Sequence, residues 1–279
     1  MIATVEPPAA GTTMANRIQE LKRTVSASRL NLWLQCRLKF FFRYALKLKK
    51  PTTAALHTGT TVHAVLQAWN LARWRKQRFV LEQFKQTFED NWKTQESPIN
   101  WDGEEPAQRN SAWLMLETYF AATPIKADER PEAVEVAVEA DLSRHGLPTL
   151  IGIIDLVRAG GRIVDFKTAG KTPDAELVEH QHEVQLSGYA MLYRDATGKK
   201  ESGIELHHLL KLKVPKLVVS AIKPMTDAQQ SRLFRLMESY LTGLDREDFV
   251  PSPGFHCAGC EFFNECRLWS GKEPYGRAM

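Results

Sequence analysis

Two features are missing from the sequence. It has no apolar run near the roughly 20 residues that a membrane-spanning helix requires. Its first residues contain neither the apolar stretch nor the basic cluster of a secretory signal. Hydrophobic residues make up 43% and charged residues 25% of the 279-residue chain, which excludes a disordered, collagen-like or disulfide-dense protein. We therefore expect a globular cytoplasmic protein that has no membrane partner.

Acidic residues are absent between Lys22 and Lys50, a stretch that carries nine basic residues. The rest of the chain holds 28 basic and 33 acidic residues, so a segment of charge +9 is joined to a body of charge −5. Such asymmetry favours a polyanionic partner. A solvated helix face explains the charge equally well, and the charge pattern alone does not decide between the two.

Cysteine is scarce, but its spacing is informative. Three of the four cysteines fall within ten residues, C-A-G-C-E-F-F-N-E-C, and the fourth lies far upstream: they are Cys257, Cys260, Cys266 and Cys36. A reducing compartment makes structural disulfides rare. Thiolates bind both zinc and iron–sulfur clusters. The spacing therefore predicts a metal site with four cysteine ligands.

The chain divides by composition into a flexible tail, a helical part, a strand-rich part and a cysteine-rich segment. Pattern and turn signals place these at residues 1–22, about 26–125, about 130–243 and 250–270. No linker interrupts residues 23–279, so we expect a single domain there. Strands between helices predict an α/β fold with a central mixed β-sheet flanked by helices.

Capping signals place two helices. Ser26 or Ser28 begins a helix whose apolar spacing continues through Cys36, so Cys36 is expected inside that helix. The capping box T-D-A-Q at 226–229 begins a second, amphipathic helix that is expected to stop at Gly243.

Two carboxylates and a lysine form the sharpest constellation. Asp155 ends the motif G-I-I-D, and Asp165 and Lys167 belong to V-D-F-K-T on the far side of a hairpin signal. Residues i and i+2 of a strand share a face, so Asp165 and Lys167 point the same way. Neighbouring carboxylates repel unless a cation lies between them, and oxygen ligands suit Mg²⁺ or Mn²⁺. A surface strand pair is the alternative that spacing leaves open.

Other polar residues carry little information by themselves. His63 lies early on a helix among apolar neighbours, where a histidine is more often a core residue than a ligand. Gln185 and Tyr189 lie one helical turn apart and share a face. Two histidine pairs are expected to be polar surface residues: His180 with His182, and His207 with His208.

Taken in order, the motifs resemble the RecB-like iron–sulfur branch of the PD-(D/E)XK nuclease superfamily, with its AddB-type and CRISPR-associated exonucleases. The resemblance runs from Ser26 to Cys266 through S-A-S-R-L-N-L-W-L-Q-C, G-T-T-V-H, G-I-I-D, V-D-F-K-T, Q-L-S-G-Y and C-A-G-C-E-F-F-N-E-C. Each motif is weak alone, and their order makes the set specific. The resemblance implies a restriction-endonuclease-like core, a helical N-terminal part and a C-terminal Fe-S cluster segment.

The resemblance also implies residue roles. A Mg²⁺ or Mn²⁺ ion would be bound by His63, Asp155 and Asp165. Lys167 would be the catalytic lysine, with Gln185 and Tyr189 supporting the active site and contacting DNA. A 4Fe-4S cluster would be held by Cys36, Cys257, Cys260 and Cys266. An additional acid ahead of G-I-I-D stays open among Glu117, Glu135 and Glu139.

The implied function is metal-dependent hydrolysis of DNA, as an exonuclease in end processing, recombination, repair or CRISPR adaptation. The chain would be bacterial or phage-encoded. Its expected partners are single-stranded or duplex DNA ends and a recombination, helicase or CRISPR-adaptation protein. The basic segment would follow the DNA backbone. The alternatives are a non-catalytic DNA-binding accessory that keeps the fold and cluster, and a zinc-stabilised binding protein.

Overall fold

The computed structural model describes residues 13–272 except 79, 95–97, 102 and 104. The chain forms two compact units. The first comprises the chain up to Lys50, Asp141–Ile151 and the chain from Ser231, and the second comprises Pro51–Ala140 and Gly152–Gln230. In the described residues, no helix is both long and apolar enough to span a membrane. The expectation of a single domain over 23–279 stays a prediction.

Helices and strands are interspersed along the chain. The helices are α1 Met14–Arg23, α2 Ala27–Gln35, α3 Arg37–Phe40, α4 Ala54–Trp74, α5 Leu81–Lys93, α6 Glu105–Ala122, α7 Val178–Thr197, α8 Asp227–Asp245 and α9 Phe263–Trp269. The strands are β1 Thr24–Val25, β2 Thr52–Thr53, β3 Ile99–Asn100, β4 Ala133–Ala140, β5 Thr149–Arg158, β6 Arg162–Ala169, β7 Gly203–Leu210 and β8 Lys216–Ile222. The predicted mixed α/β architecture is confirmed.

The second unit is built around a mixed sheet. Strand β5 pairs with β4 and, antiparallel, with β6; β6 runs parallel to β7, and β7 runs antiparallel to β8. A turn at 159–161 joins β5 and β6, as its glycines predict. Helices α4, α5 and α6 and the sheet bury one apolar core, which includes Trp69, Phe88, Tyr119 and Phe166. This core holds one face of β6, so the alternate residues of β6 point away from it.

The first unit is built around aromatic rings. Trp33, on α2, is almost fully buried and contacts Phe40, Tyr240 and Phe249 edge to face. Edge-to-face packing suits the quadrupoles of such rings. Strand β1 pairs in parallel with the first residues of β5. Phe40, Phe41 and Phe42, which follow Cys36, are also buried in this unit.

The N-terminal part differs from the prediction in two places. Residues 14–23 form α1, capped by Thr13 and anchored by buried Ile18 and Leu21, where a flexible tail was expected. The tail prediction for residues 1–12 lies outside the described residues. Cys36 lies in a break between α2 and α3, where its backbone is extended, and not inside a helix. After this break, the Leu38 N–H at the start of α3 donates a hydrogen bond to the Val250 carbonyl at 3.1 Å.

Helix α8 begins with the predicted capping box but does not stop at Gly243. The Thr226 N–H donates to Gln229 Oε1 at 2.9 Å, and the Gln229 N–H donates to Thr226 Oγ1 at 3.3 Å. The helix continues to Asp245, so Gly243 lies inside it and is not its cap. A β-carbon at Gly243 would overlap the ring of Trp33, so this glycine permits the close packing of α8 on α2.

Replacement of Gly243 by alanine should therefore destabilise the protein by about 1–3 kcal/mol, the usual range for an overpacked core. Gly170 is the matched control, because a β-carbon there meets nothing within 4 Å and its backbone is not left-handed. Thermal unfolding of both variants measures the effect. An unchanged melting temperature for Gly243→Ala would contradict the packing role.

Candidate functional site

The β5–β6 hairpin brings two carboxylates together. Leu156 pairs with Val164 in the antiparallel register, and one further step along the strands places Asp155 opposite Asp165. Both carboxylates are buried, with 8% and 2% of their surfaces exposed. Oδ2 of Asp155 accepts a hydrogen bond from the Phe166 N–H at 3.0 Å. The hairpin therefore places these two carboxylates on neighbouring strands.

Burial makes this pair electrostatically unfavourable. Burial and, next, the negative charge of Asp165 raise the pKa of Asp155 to about 6. The hydrogen bond from Phe166 and the nearby His63 act in the opposite direction but are weaker. Such a site favours either a proton or a cation.

Lys167 is held at the edge of this pair. Its Nζ lies 2.7 Å from Asp165 Oδ2 and donates to Gln185 Oε1 at 2.7 Å. Gln185 and the Tyr189 hydroxyl, on one face of α7, both donate to Asp165 Oδ1, at 3.2 and 3.0 Å. The Q-x-x-x-Y element thus orients both the carboxylate and the lysine.

His63, on α4, faces two acceptors. Its Nε2 lies 2.8 Å from the Phe166 carbonyl oxygen, which can only accept, so Nε2 carries the hydrogen. In the neutral ring Nδ1 is then an acceptor, and it lies 3.4 Å from Asp155 Oδ2, a second acceptor. Facing acceptors repel unless a proton or metal cation lies between them. A carbonyl partner on the other ring nitrogen is also typical of metal-binding histidines.

Glu135 is the acid, of the three left open, that lies beside this site. It lines a cavity of about 480 Å³ with His63, Gly59 and Thr168. Its backbone is left-handed, with φ 47°, which a non-glycine residue adopts only at some cost. Burial raises the pKa of Glu135, and the charge of His63 partly offsets this.

The other two acids do not reach this cavity. The carboxylate of Glu117 accepts a hydrogen bond from the indole N–H of Trp113 at 2.7 Å. Glu139 is exposed on β4. A left-handed residue interrupts the alternation of β4, and sequence periodicity has no signal for such an interruption.

The surface interpretation of the histidine pairs is wrong for His207 and His208. Both lie on β7, whose eight residues are all buried because the strand is central and covered on both faces. His207 bonds to the Tyr119 hydroxyl and to Glu205, both at 3.1 Å. His208 lies opposite Lys167 in the register, and burial lowers its pKa to about 4.

The donors around Asp155 fit a hard divalent cation. Among the residues that the structure describes, no three His, Cys, Asp or Glu side chains form a ready-made metal shell. The two carboxylates and Nδ1 of His63 nevertheless supply oxygen and nitrogen ligands of the kind that Mg²⁺ or Mn²⁺ accepts. Among the described residues, the buried Asp165 Oδ2 has no hydrogen-bond partner, although it forms an ion pair with Lys167 Nζ at 2.7 Å.

The four cysteines meet in the first unit. All are free, half-buried thiols that line one cavity of about 340 Å³. Burial raises the pKa of Cys266, and the charges of the three other cysteines raise it further. A negative charge on one thiolate would oppose ionisation of the others, and among the described residues these thiols do not form a ready-made metal shell.

The acid-free basic segment is partly neutralised by the C-terminal part of the same unit. Lys39 and Arg43 pair with Glu261, and Lys50 pairs with Glu265 at 2.7 Å. Two further pairs join Lys22 to Asp245 and Arg37 to Asp248. Five of the nine charges are therefore engaged within the protein, so the segment has less free charge for DNA than the sequence suggested.

Comparison with known proteins identifies the fold. The sequence profile described as the PD-(D/E)XK nuclease superfamily matches residues 24–267. The chain belongs to this superfamily. The match spans the hairpin carboxylates, Lys167 and the cysteines together. No curated protein sequence matches the chain.

Two solved structures are similar. A candidate exonuclease from Eubacterium rectale shares 14% identity, covers 97% of both chains and has a TM-score of 0.61. This likeness shows the fold. The structure of SSO0001 shares 13% identity over 90% of this chain and 91% of its own, with a TM-score of 0.43.

The buried carboxylate predicts a pH-dependent effect of Asp155→Asn in metal-free protein. Since the pKa of Asp155 is about 6 when folded and about 3.9 when unfolded, the native state loses stability as pH rises between these values. Asparagine keeps an acceptor for the Phe166 N–H and removes the charge. The variant should therefore melt several degrees higher than wild type at pH 8 in chelator, and about equally at pH 4.

The matched control is Asp195→Asn on α7, where the carboxylate is exposed and the melting temperature should not change at either pH. A lower melting temperature of Asp155→Asn at pH 8 would show that the charge stabilises the metal-free fold, against this prediction.

Proposed function

We propose that the protein is a metal-dependent DNA exonuclease that hydrolyses phosphodiester bonds at DNA ends. One observation supports this most strongly. Lys167, Asp165 and Asp155 converge with His63: Lys167 pairs with Asp165, and the buried Asp155 faces Nδ1 of His63. Superfamily membership supports nuclease chemistry with Mg²⁺ or Mn²⁺. The similar candidate exonuclease, matched over nearly its whole length, supports exonuclease action in particular.

His63, Asp155 and Asp165 would hold the divalent ion, and Glu135 lies near enough to His63 to assist. When bound, the ion would polarise the scissile phosphate and lower the pKa of a water molecule. Neutralising the carboxylate pair would also remove the repulsion by Asp165 that, after burial, raises the pKa of Asp155.

Lys167 would then act on the substrate. Its ammonium group is fixed by Asp165 and Gln185, so it can offset negative charge that develops on the phosphate without reorganising. It can also orient the attacking water. Gln185 and Tyr189 are positioning residues, because they hold Asp165 and Lys167 in place.

We also propose that the four cysteines hold a 4Fe-4S cluster. Four thiols around one cavity fit the ligand number of such clusters. Residues 250–270 would be fixed to the break at Cys36, closing a loop of more than 200 residues. A zinc site is the alternative. The cytoplasmic location and a recombination, helicase or CRISPR-adaptation partner stay predictions.

Replacement of Lys167 by alanine should lower the rate of DNA cleavage at least about 100-fold, because it removes a preorganised cation from the reacting phosphate. End-labelled single-stranded and duplex DNA, and circular DNA without ends, are incubated with Mg²⁺ or Mn²⁺. Labelled ends should be digested and circles should resist.

The matched control is Lys199→Ala, an exposed lysine beyond α7 whose loss should leave cleavage unchanged. Equal activity of Lys167→Ala and wild type would refute the active-site assignment. DNA binding without cleavage by the wild-type chain would favour the non-catalytic accessory protein.

Protein purified without oxygen should contain about four iron and about four sulfide ions per chain, as a 4Fe-4S cluster requires. Cys36→Ala should lose most of both, because one ligand is removed. Ser252→Ala is the control, since this residue lines the same cavity without a thiol. Zinc without sulfide in the wild-type protein would replace the cluster with a zinc site.

A further inference from the structure

A basic hairpin connects β7 to β8. Its residues, 211–216, read K-L-K-V-P-K, and Lys211, Lys213 and Lys216 are all exposed. The two apolar residues between the lysines are also exposed, Leu212 by 37% and Val214 by 78%. Cationic and apolar side chains therefore alternate in solvent along this loop.

The sheet register places this basic hairpin near Lys167. Strands β6 and β7 run parallel from Arg162 opposite Gly203 to Ala169 opposite Leu210. The Lys211 N–H continues this ladder by donating to the Ala169 carbonyl at 2.8 Å. The hairpin therefore starts at the end of the sheet toward which Lys167 lies, roughly 10–13 Å beyond it at about 3.3 Å per residue.

A fourth lysine, Lys171, lies just beyond the same end of β6 and is also exposed. Among the described residues, Lys171, Lys213 and Lys216 make no ion pair with a carboxylate, and Lys211 Nζ contacts the neutral Gln108. The nearest acid along the chain, Asp174, accepts the backbone N–H groups of its own turn. This group of lysines differs from the N-terminal basic segment, whose charges are mostly paired.

We propose that the basic hairpin, with Lys171, binds the phosphate backbone of the nucleic-acid strand that leads to the candidate active site. The inference rests on the proposed nuclease function. Each strand of duplex DNA carries a phosphate about every 3.4 Å along the helix axis, so a reach of roughly 10–13 Å from Lys167 spans about three or four phosphates of one strand. Lysine ammonium groups bind phosphates as point charges, and the exposed Leu212 and Val214 can lie against sugars or base faces.

Two different roles of the basic hairpin lead to different results. Lysines on an edge hairpin can serve only to prevent the pairing of β8 with another chain. They can also attract any polyanion, such as an acidic protein, without preference. If the lysines only prevent strand pairing, the binding of a DNA strand should not depend on them. If they attract any polyanion, DNA should bind no more strongly than another polyanion.

The test is binding of fluorescein-labelled single-stranded DNA to the full chain, followed by anisotropy in chelator so that cleavage does not intervene. The double variant Lys213→Gln/Lys216→Gln should bind about tenfold more weakly at moderate salt. Between about 50 and 200 mM salt, its salt dependence should be shallower by about 0.7 for each lysine that contacts a phosphate.

The matched control is Lys199→Gln/Lys200→Gln, which removes two exposed lysines at the opposite end of β7 and should leave both quantities unchanged. Equal losses in the two double variants would overturn the proposal, as would an unchanged affinity of the hairpin variant or equal competition by polyglutamate. Weaker binding by the hairpin variant, together with loss of cleavage in Lys167→Ala, supports both proposals. Hairpin-dependent binding by a chain that cleaves nothing supports this proposal and refutes the nuclease function.

Discussion

Repulsion between the buried carboxylates of Asp155 and Asp165 is the constraint on which the rest of the site depends. The β5–β6 hairpin forces them together, and the core under Phe166 keeps water away from them. Each neighbour acts on this charge: Lys167 pairs with Asp165, α7 donates two hydrogen bonds to it, and His63 presents an acceptor to Asp155. A site arranged in this way gains most from a cation, as metal-dependent phosphodiester cleavage requires.

Repulsion between like charges and attraction between opposite charges also act on the cysteines and on the basic segment. Among the four thiols that line one cavity, the charges of the others oppose ionisation of Cys266. Around them, the acids of the C-terminal part pair with the bases that follow Cys36, so charges far apart in sequence cancel within one unit. Among the described residues, lysines without a carboxylate partner also lie at the β7–β8 connection.

Several features could be predicted because they are local. The glycine turn at 159–161 and the capping box at 226–229 follow from the preferences of a few adjacent residues. Period-two spacing placed Asp165 and Lys167 on one face of a strand. By contrast, the break at Cys36, the depth of His207 and the role of Gly243 were missed, because each depends on a partner distant in sequence: Val250, a sheet covered on both faces, and Trp33.

The sequence by itself determined the ordered motifs, the mixed α/β class and the residues that could meet in a nuclease site, since these depend on residue type and short-range spacing. Only the tertiary structure decided that Glu135 lies beside His63, because a left-handed residue in β4 has no periodic signal. Only the tertiary structure decided which lysines lack a carboxylate partner among the described residues, because ion pairs form between segments about 200 residues apart. The net charge of a segment can be counted from the sequence, but the interaction of each charge depends on its distance from other charges in the folded chain.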